Sequence, residues 1–107
     1  MEMFNFQLTE TAKADIEAVG KYIAENFYIE TAISLVDDIG VKIEEICETP
    51  LIFEVKTYSD NYGAIRIAVV KNYNIYFALD ESINMIYIVR VAHCSMNLVQ
   101  NFIDGDT

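Results

Sequence analysis

Two arginines and one histidine stand out in the C-terminal half of this chain. Arg66 lies inside the apolar run Ile65 to Val70, Arg90 lies inside the run Met85 to Ala92, and His93 follows directly. Asp80 and Glu81 add two carboxylates where Asp80 to Asn84 separates the run Ile75 to Leu79 from the last one. A guanidinium carries a permanent charge suited to anionic oxygens, and an imidazole, with a reference pKa of about 6.5, exchanges its proton near neutral pH. Charge set among apolar residues is costly unless it is paired or used, so any chemistry in this chain begins among Arg66, Asp80, Glu81, Arg90 and His93. Each also has a bland reading. Either arginine can pair with Asp80, Glu54 or a helix carboxylate, and a histidine after an apolar strand is commonly a hydrogen-bonded structural residue.

The three runs read as an antiparallel meander, because short β-branched and aromatic segments are joined by Asn- and Asp-rich connections, Asn72-Tyr73-Asn74 and Asp80 to Asn84. Both parities of these strands are apolar, so each face of the sheet needs a cover: helices on one, and a tail, a partner or a site on the other. Met3 to Leu8 alternates and predicts a further strand at a sheet edge. Thr9 or Thr11 then caps a first helix, where Ala12, Ile16, Val19 and Ile23 recur at helical spacing as far as Asn26 or Phe27. Tyr28 to Thr31 is read as the connection. Ala32, Val36, Ile39, Ile43 and Ile46 define a second helix that stops near Glu48, ahead of Thr49-Pro50. Leu51 to Tyr58 reads as another strand, Ser59 to Gly63 as a turn, and Ser95 to Phe102 as a short terminal helix followed by a frayed end. The predicted fold is therefore α+β: an N-terminal strand and a two-helix hairpin packed on an antiparallel sheet built around the meander, all in one domain over residues 1–107.

The hydrophobic fraction of 53% with a single Pro excludes a disordered chain. Seventeen acidic residues against seven basic ones leave a net charge of −10, which opposes generic binding to phosphate backbones or anionic membranes. The acid is concentrated in residues 1–60, with 13 carboxylates and 4 cations, whereas the meander is close to neutral. Cys47 and Cys94 have neither disulfide-framework nor zinc-ligand spacing, so buried free thiols and no metal or other cofactor are expected. No apolar stretch approaches the roughly 20 residues needed to span a bilayer, and the chain reads as cytoplasmic with no membrane partner.

Several segments, taken in order, resemble the RelE/ParE superfamily of toxins from bacterial toxin–antitoxin modules, the plasmid-stabilisation proteins. They are Leu8-Thr9 with Ala12, Asp15-Ile16 and Tyr22-Ile23, then Pro50, Gly63 with Arg66, Asn72 to Phe77 with Asp80, and Ile88 to His93. The resemblance covers most of the chain. It implies a toxin activity and a cognate antitoxin that wraps and neutralises the toxin. Superfamily members poison DNA gyrase or cut mRNA on the ribosome, and the nucleases use Arg, Lys, His, Tyr or Glu side chains to activate a ribose hydroxyl and stabilise the phosphate.

On that resemblance Arg66 takes the position of a phosphate-binding residue and His93 that of a general acid or base, with Arg90 a weaker candidate. Tyr62, Tyr73, Tyr76 and Tyr87 are phenols that the sequence does not rank. The chain departs from the pattern after the histidine, where Cys94-Ser95-Met96-Asn97 replaces the usual basic residues and no Lys or Arg follows Arg90. A ribosome-bound nuclease without a basic rim lacks its main source of affinity. The expected function is a toxin acting on gyrase or mRNA, with the balance away from cleavage. The alternatives are a ribosome-dependent endoribonuclease built on Arg66 and His93, and a non-toxic binding module, which would pair as a homodimer through a sheet edge or the helices.

Overall fold

The computed structural model describes residues 3–96 and 98–99. Strand β1 (Asn5–Leu8) leads into helices α1 (Glu10–Asn26) and α2 (Ile29–Glu48), then strands β2 (Val55–Ser59), β3 (Gly63–Val70), β4 (Tyr73–Asp80) and β5 (Met85–His93). The strands form one sheet in the order β1-β5-β4-β3-β2.

Thr9 starts α1 because its extended backbone lets the side-chain oxygen accept from the N–H of Ala12 at 3.0 Å. The same hydroxyl donates to the carbonyl of Val89 at 2.9 Å, and the backbone N–H of Thr9 donates to Ile88. One buried side chain thus caps the helix and ties it to the last strand. Ala12 and Ile23 of α1 and Leu35, Ile39, Ile43 and Ile46 of α2 then bury against Ala68, Val70, Ile75, Phe77, Ile86, Ile88 and Val91 of the sheet. Each buried aliphatic side chain of this size contributes roughly 1.5–3 kcal/mol of transfer free energy. On the opposite face, Ile65, Tyr76, Ala78, Val89 and Ala92 form a second cluster, covered in part by Tyr62, Tyr87 and Leu98. The two-sided apolar pattern of the strands is therefore satisfied by two cores of unequal size.

The sheet departs from a purely antiparallel one. β2 through β5 are antiparallel neighbours, but β1 lies parallel to β5, with Asn5 opposite Met85 and Leu8 opposite Ile88. Parallel neighbours need a long connection, and here the two helices and three strands provide it. α2 begins at Ile29, three residues earlier than its apolar spacing suggests. Phe27 closes α1 by donating to Ile23, and only Phe27 and Tyr28 remain between the helices.

The strand expected from Leu51 starts at Val55 instead. Pro50 favours the first position of a helical turn, so Pro50–Ile52 forms a 3-10 turn that sets Phe53 edge-on against Phe77 at 5.7 Å. The tight turn between β3 and β4 falls on Lys71 and Asn72, with Lys71 at φ 54, so Tyr73 and Asn74 belong to β4. The helix expected over Ser95 to Phe102 is not found where it can be inspected. Cys94 and Ser95 form a turn, Met96 a bend, and Asn97 and Gln100 onward lie outside the described residues, as does the end expected to fray.

Candidate functional site

Arg90 is built into the seam between β5 and α1. Its Nε donates to Oδ2 of Asp15 at 2.8 Å and its Nη2 to Oδ1 at 3.2 Å, while the N–H of Val91 donates to the same Oδ2 at 2.9 Å. The two side chains are 20% and 16% exposed, so the pair is largely removed from water. A forked ion pair of this kind holds both charges in place, and the hydrogen bond that Arg90 donates to Asp15 pushes the guanidinium pKa further up. The carboxylate partner is Asp15 on a helix, neither Asp80 nor Glu54. A shift of register between β4 and β5 sets Arg90 opposite Tyr76 and Ile88 opposite Phe77, leaving Val89 as the extra residue of a bulge beside the pair.

Arg66 is half-buried on β3, opposite Val55 of β2 and Phe77 of β4. Its Nη1 donates to the carbonyl of Phe53, which draws the side chain toward the 3-10 turn and the β2 edge. Glu54, next to that carbonyl, pairs instead with Lys56 at 2.8 Å.

His93 ends β5 opposite Tyr73, and the two rings meet edge to face at 5.3 Å and 83°. The N–H of Ser95 donates to Nδ1 at 3.0 Å, and the Ser95 hydroxyl lies 2.9 Å from the same nitrogen. With Nδ1 accepting the backbone hydrogen bond, the neutral ring carries its proton on Nε2. The histidine opens on a groove of about 680 Å³ where the C-terminal end of α1, the start of α2 and the β3–β4 turn meet. Ile23, Phe27 and Leu35 supply apolar lining, with Glu30, Lys71 and Tyr73 adding polar groups. Lys71 stands 3.4 Å from Asp38 at the surface. A volume in this range, mostly apolar and with a few polar groups, suits an anchoring side chain or a small ligand.

The structure does not bring the sequence candidates together. Arg66 lies four residues along β3 from Val70, which neighbours Tyr73 and, one strand further, His93. That path places the Cα atoms of Arg66 and His93 about 16 Å apart, from strand rise and strand spacing. Arg90 is committed to Asp15. Among the described residues, no group of three or more His, Cys, Asp or Glu side chains is placed to hold a metal ion, and no helix is long and apolar enough to cross a membrane.

Sequence reasoning allowed a helix carboxylate as the partner of Arg90 without singling out Asp15, and it missed the groove residues Phe27, Glu30 and Lys71. For Asp15 the signal was a carboxylate one position before Ile16, which packs against the core. For the groove there was none, because it forms between elements distant in the chain.

A family model for the ParE toxin of type II toxin–antitoxin systems matches residues 6–98. No curated protein matches the sequence. Among the solved structures that share the fold are the following three. The chromosomal ParDE toxin–antitoxin system from P. aeruginosa superposes with a TM-score of 0.68 at 18% identity, over 85% of this chain and 96% of that one. The RelBE2 toxin–antitoxin complex from Mycobacterium tuberculosis gives 0.55 at 16%, over 86% and 99%. A doubly substituted RelE toxin from E. coli in the free state gives 0.63 at 10%, over 92% of each chain. With the model spanning the first strand to the residues beyond His93, this chain belongs to the ParE toxin family of type II toxin–antitoxin systems.

Proposed function

We propose that the chain is the toxin of a type II module, held inactive by a cognate antitoxin, and that it arrests cells by binding DNA gyrase rather than by cutting mRNA. The observation that carries the choice of target is the dispersal of the candidate nuclease groups. A ribonuclease needs its proton-transfer and phosphate-stabilising groups within hydrogen-bond reach of one phosphate. Arg66 and His93 stand about 16 Å apart along the sheet, and Arg90 is occupied by Asp15. The net charge of −10 adds to this, since a chain without a cationic rim gains little from an RNA backbone.

Antitoxin binding is supported by family membership and by the exposed apolar residues around the His93 groove. Tyr22 and Phe27 are each more than half exposed there. Such a surface suits the apolar face of a docked helix, whose anchor residues would enter the groove.

The test is inducible expression of the wild type, Arg66→Ala and His93→Ala in a bacterial host, with growth, transcript ends and plasmid supercoiling followed together. The expected result is growth arrest with intact transcripts and relaxed plasmid, retained in Arg66→Ala and relieved by the antitoxin. Cut transcripts in the wild type, lost in both variants, would establish the endoribonuclease reading instead. Unchanged growth at matched levels of all three chains would leave the non-toxic binding module.

A further inference from the structure

We propose that the cavity between the β2–β3 turn and the end of β4 is a site for a guanidinium group, presented by an arginine side chain of a partner polypeptide. β3 and β4 run antiparallel with Arg66 opposite Phe77, so the turn before Gly63 and the end of β4 at Asp80 fall at the same end of the sheet. The space between them is about 220 Å³, lined by Asn61, Tyr62, Ala78, Asp80, Glu81 and Tyr87 among others. That is below the range of a site for a whole drug-sized ligand and suits the head of one side chain. It shares no lining residue with the His93 groove.

Its walls are of two kinds. Tyr87 pairs across the ladder with Ala78, and both belong with the smaller core on the sheet face away from the helices. The Tyr87 ring meets that of Tyr62 at 5.6 Å between centroids, tilted by 45°. Ser59, itself buried, fixes the turn that carries Tyr62, since its Oγ accepts from the N–H groups of Asn61 and Tyr62 at 3.2 and 2.9 Å. Asp80, two residues beyond Ala78, falls on the same face because strand side chains alternate. Its Oδ1 accepts from the N–H and the hydroxyl of Ser82 at 3.1 and 2.6 Å, and its Oδ2 has no partner among the described residues. Neither Asp80 nor Glu81 forms an ion pair among the described residues, and no Lys or Arg lines the cavity.

Two aromatic rings beside two uncompensated carboxylates select the occupant. Both attract a cation, and arginine alone answers both, because its planar group stacks on a ring while its N–H fork donates to a carboxylate. A lysine ammonium is a compact, strongly hydrated charge and gains less from the rings. A phosphate-bearing ligand meets the two carboxylates and a net charge of −10. The inference stands apart from the gyrase reading, because it names a chemical group and not a target.

The experiment is a titration of the full, isotope-labelled chain with a blocked Gly-Arg-Gly peptide, following amide shifts by NMR up to about 10 mM, a range suited to a single anchoring side chain. Shifts are expected at Asn61, Tyr62, Asp80, Glu81 and Tyr87, with a dissociation constant of about 1 mM. The matching Gly-Lys-Gly peptide binds about threefold more weakly. Asp80→Asn and Tyr87→Leu each weaken the arginine peptide about fivefold, and Tyr62→Leu tests the second ring should Tyr87→Leu lose its dispersed spectrum. Glu17→Gln, on the exposed side of α1, removes the same charge and leaves binding unchanged.

An absence of shifts at these amides overturns the proposal. So do shifts spread over α1 and α2 with Glu17→Gln weakening binding as much as Asp80→Asn, which would mean attraction to overall charge. A lysine peptide or spermidine that binds at the same amides as tightly as the arginine peptide overturns it equally, because the site would then sense charge alone.

Discussion

The seam between α1 and β5 and the groove at His93 draw on the same strand, three residues apart, yet they are built to opposite ends. At the seam, Thr9 is buried with its hydroxyl both accepting from Ala12 and donating to Val89, and Asp15 takes three hydrogen bonds from Arg90 and Val91. At the groove, His93 is anchored through one nitrogen, and the surrounding Tyr22 and Phe27 are left largely exposed. Polar groups that are fully partnered and dry hold a structure together, whereas apolar surface left open around one polar anchor awaits an occupant. Arg90 is held in the seam by Asp15, and His93 faces the groove.

That contrast breaks most visibly at Asp15. Asp15→Ala leaves a largely buried guanidinium and the N–H of Val91 without their acceptor, and the expected loss is about 3 kcal/mol in urea unfolding. A loss near zero would mean that the seam is not the lock it is taken for. Thr9→Ala removes the helix cap and the bond to Val89 together and is expected to cost about 1.5 kcal/mol by the same measurement. Replacing both charges, Asp15→Leu with Arg90→Met, is expected to return stability to within about 1 kcal/mol of the wild type, because the unpaired charge and not the absent pair carries most of the cost.

His93→Ala sharpens the comparison from the other side. It is expected to change stability by about 0.5 kcal/mol or less, in the manner of a surface substitution, while weakening antitoxin binding measured by calorimetry. Smallest in energy is the contrast between the thiols. Burial, with Glu44 nearby, pushes the Cys47 pKa up, whereas Cys94 lies exposed beside His93. A thiol reagent applied to the native chain should therefore modify Cys94 first, as mass spectrometry of the digested protein would show.

The elements themselves were legible in the sequence, because the apolar residues of α1 and α2 recur at helical spacing and β3, β4 and β5 are short apolar runs between turn residues. Their boundaries were less so where local chemistry competed with pattern: Pro50 drew Leu51 and Ile52 into a 3-10 turn, and Lys71 rather than Tyr73 took the turn before β4. The parallel placement of β1 beside β5 was hidden, since it rests on contacts such as Thr9 with Ile88 and Val89, some eighty positions apart in the chain. Cys94 contradicts the expectation that both thiols are buried, because it falls on the exposed turn after β5.

The site was legible as residue types and not as geometry. Arg66, Arg90 and His93 are near one another in the linear pattern of the meander. Their spacing across the sheet depends on register, on the bulge at Val89 and on which carboxylate reaches which arginine, and none of these is encoded in local periodicity.

A supercoiling assay with purified gyrase, run beside a ribosome-bound mRNA substrate and titrated with this chain, would separate the two actions in one experiment. Dose-dependent loss of supercoiling, reversed by antitoxin and accompanied by intact mRNA, is the predicted result. Full supercoiling with cleaved mRNA would contradict it and return Arg66 and His93 to a shared catalytic role.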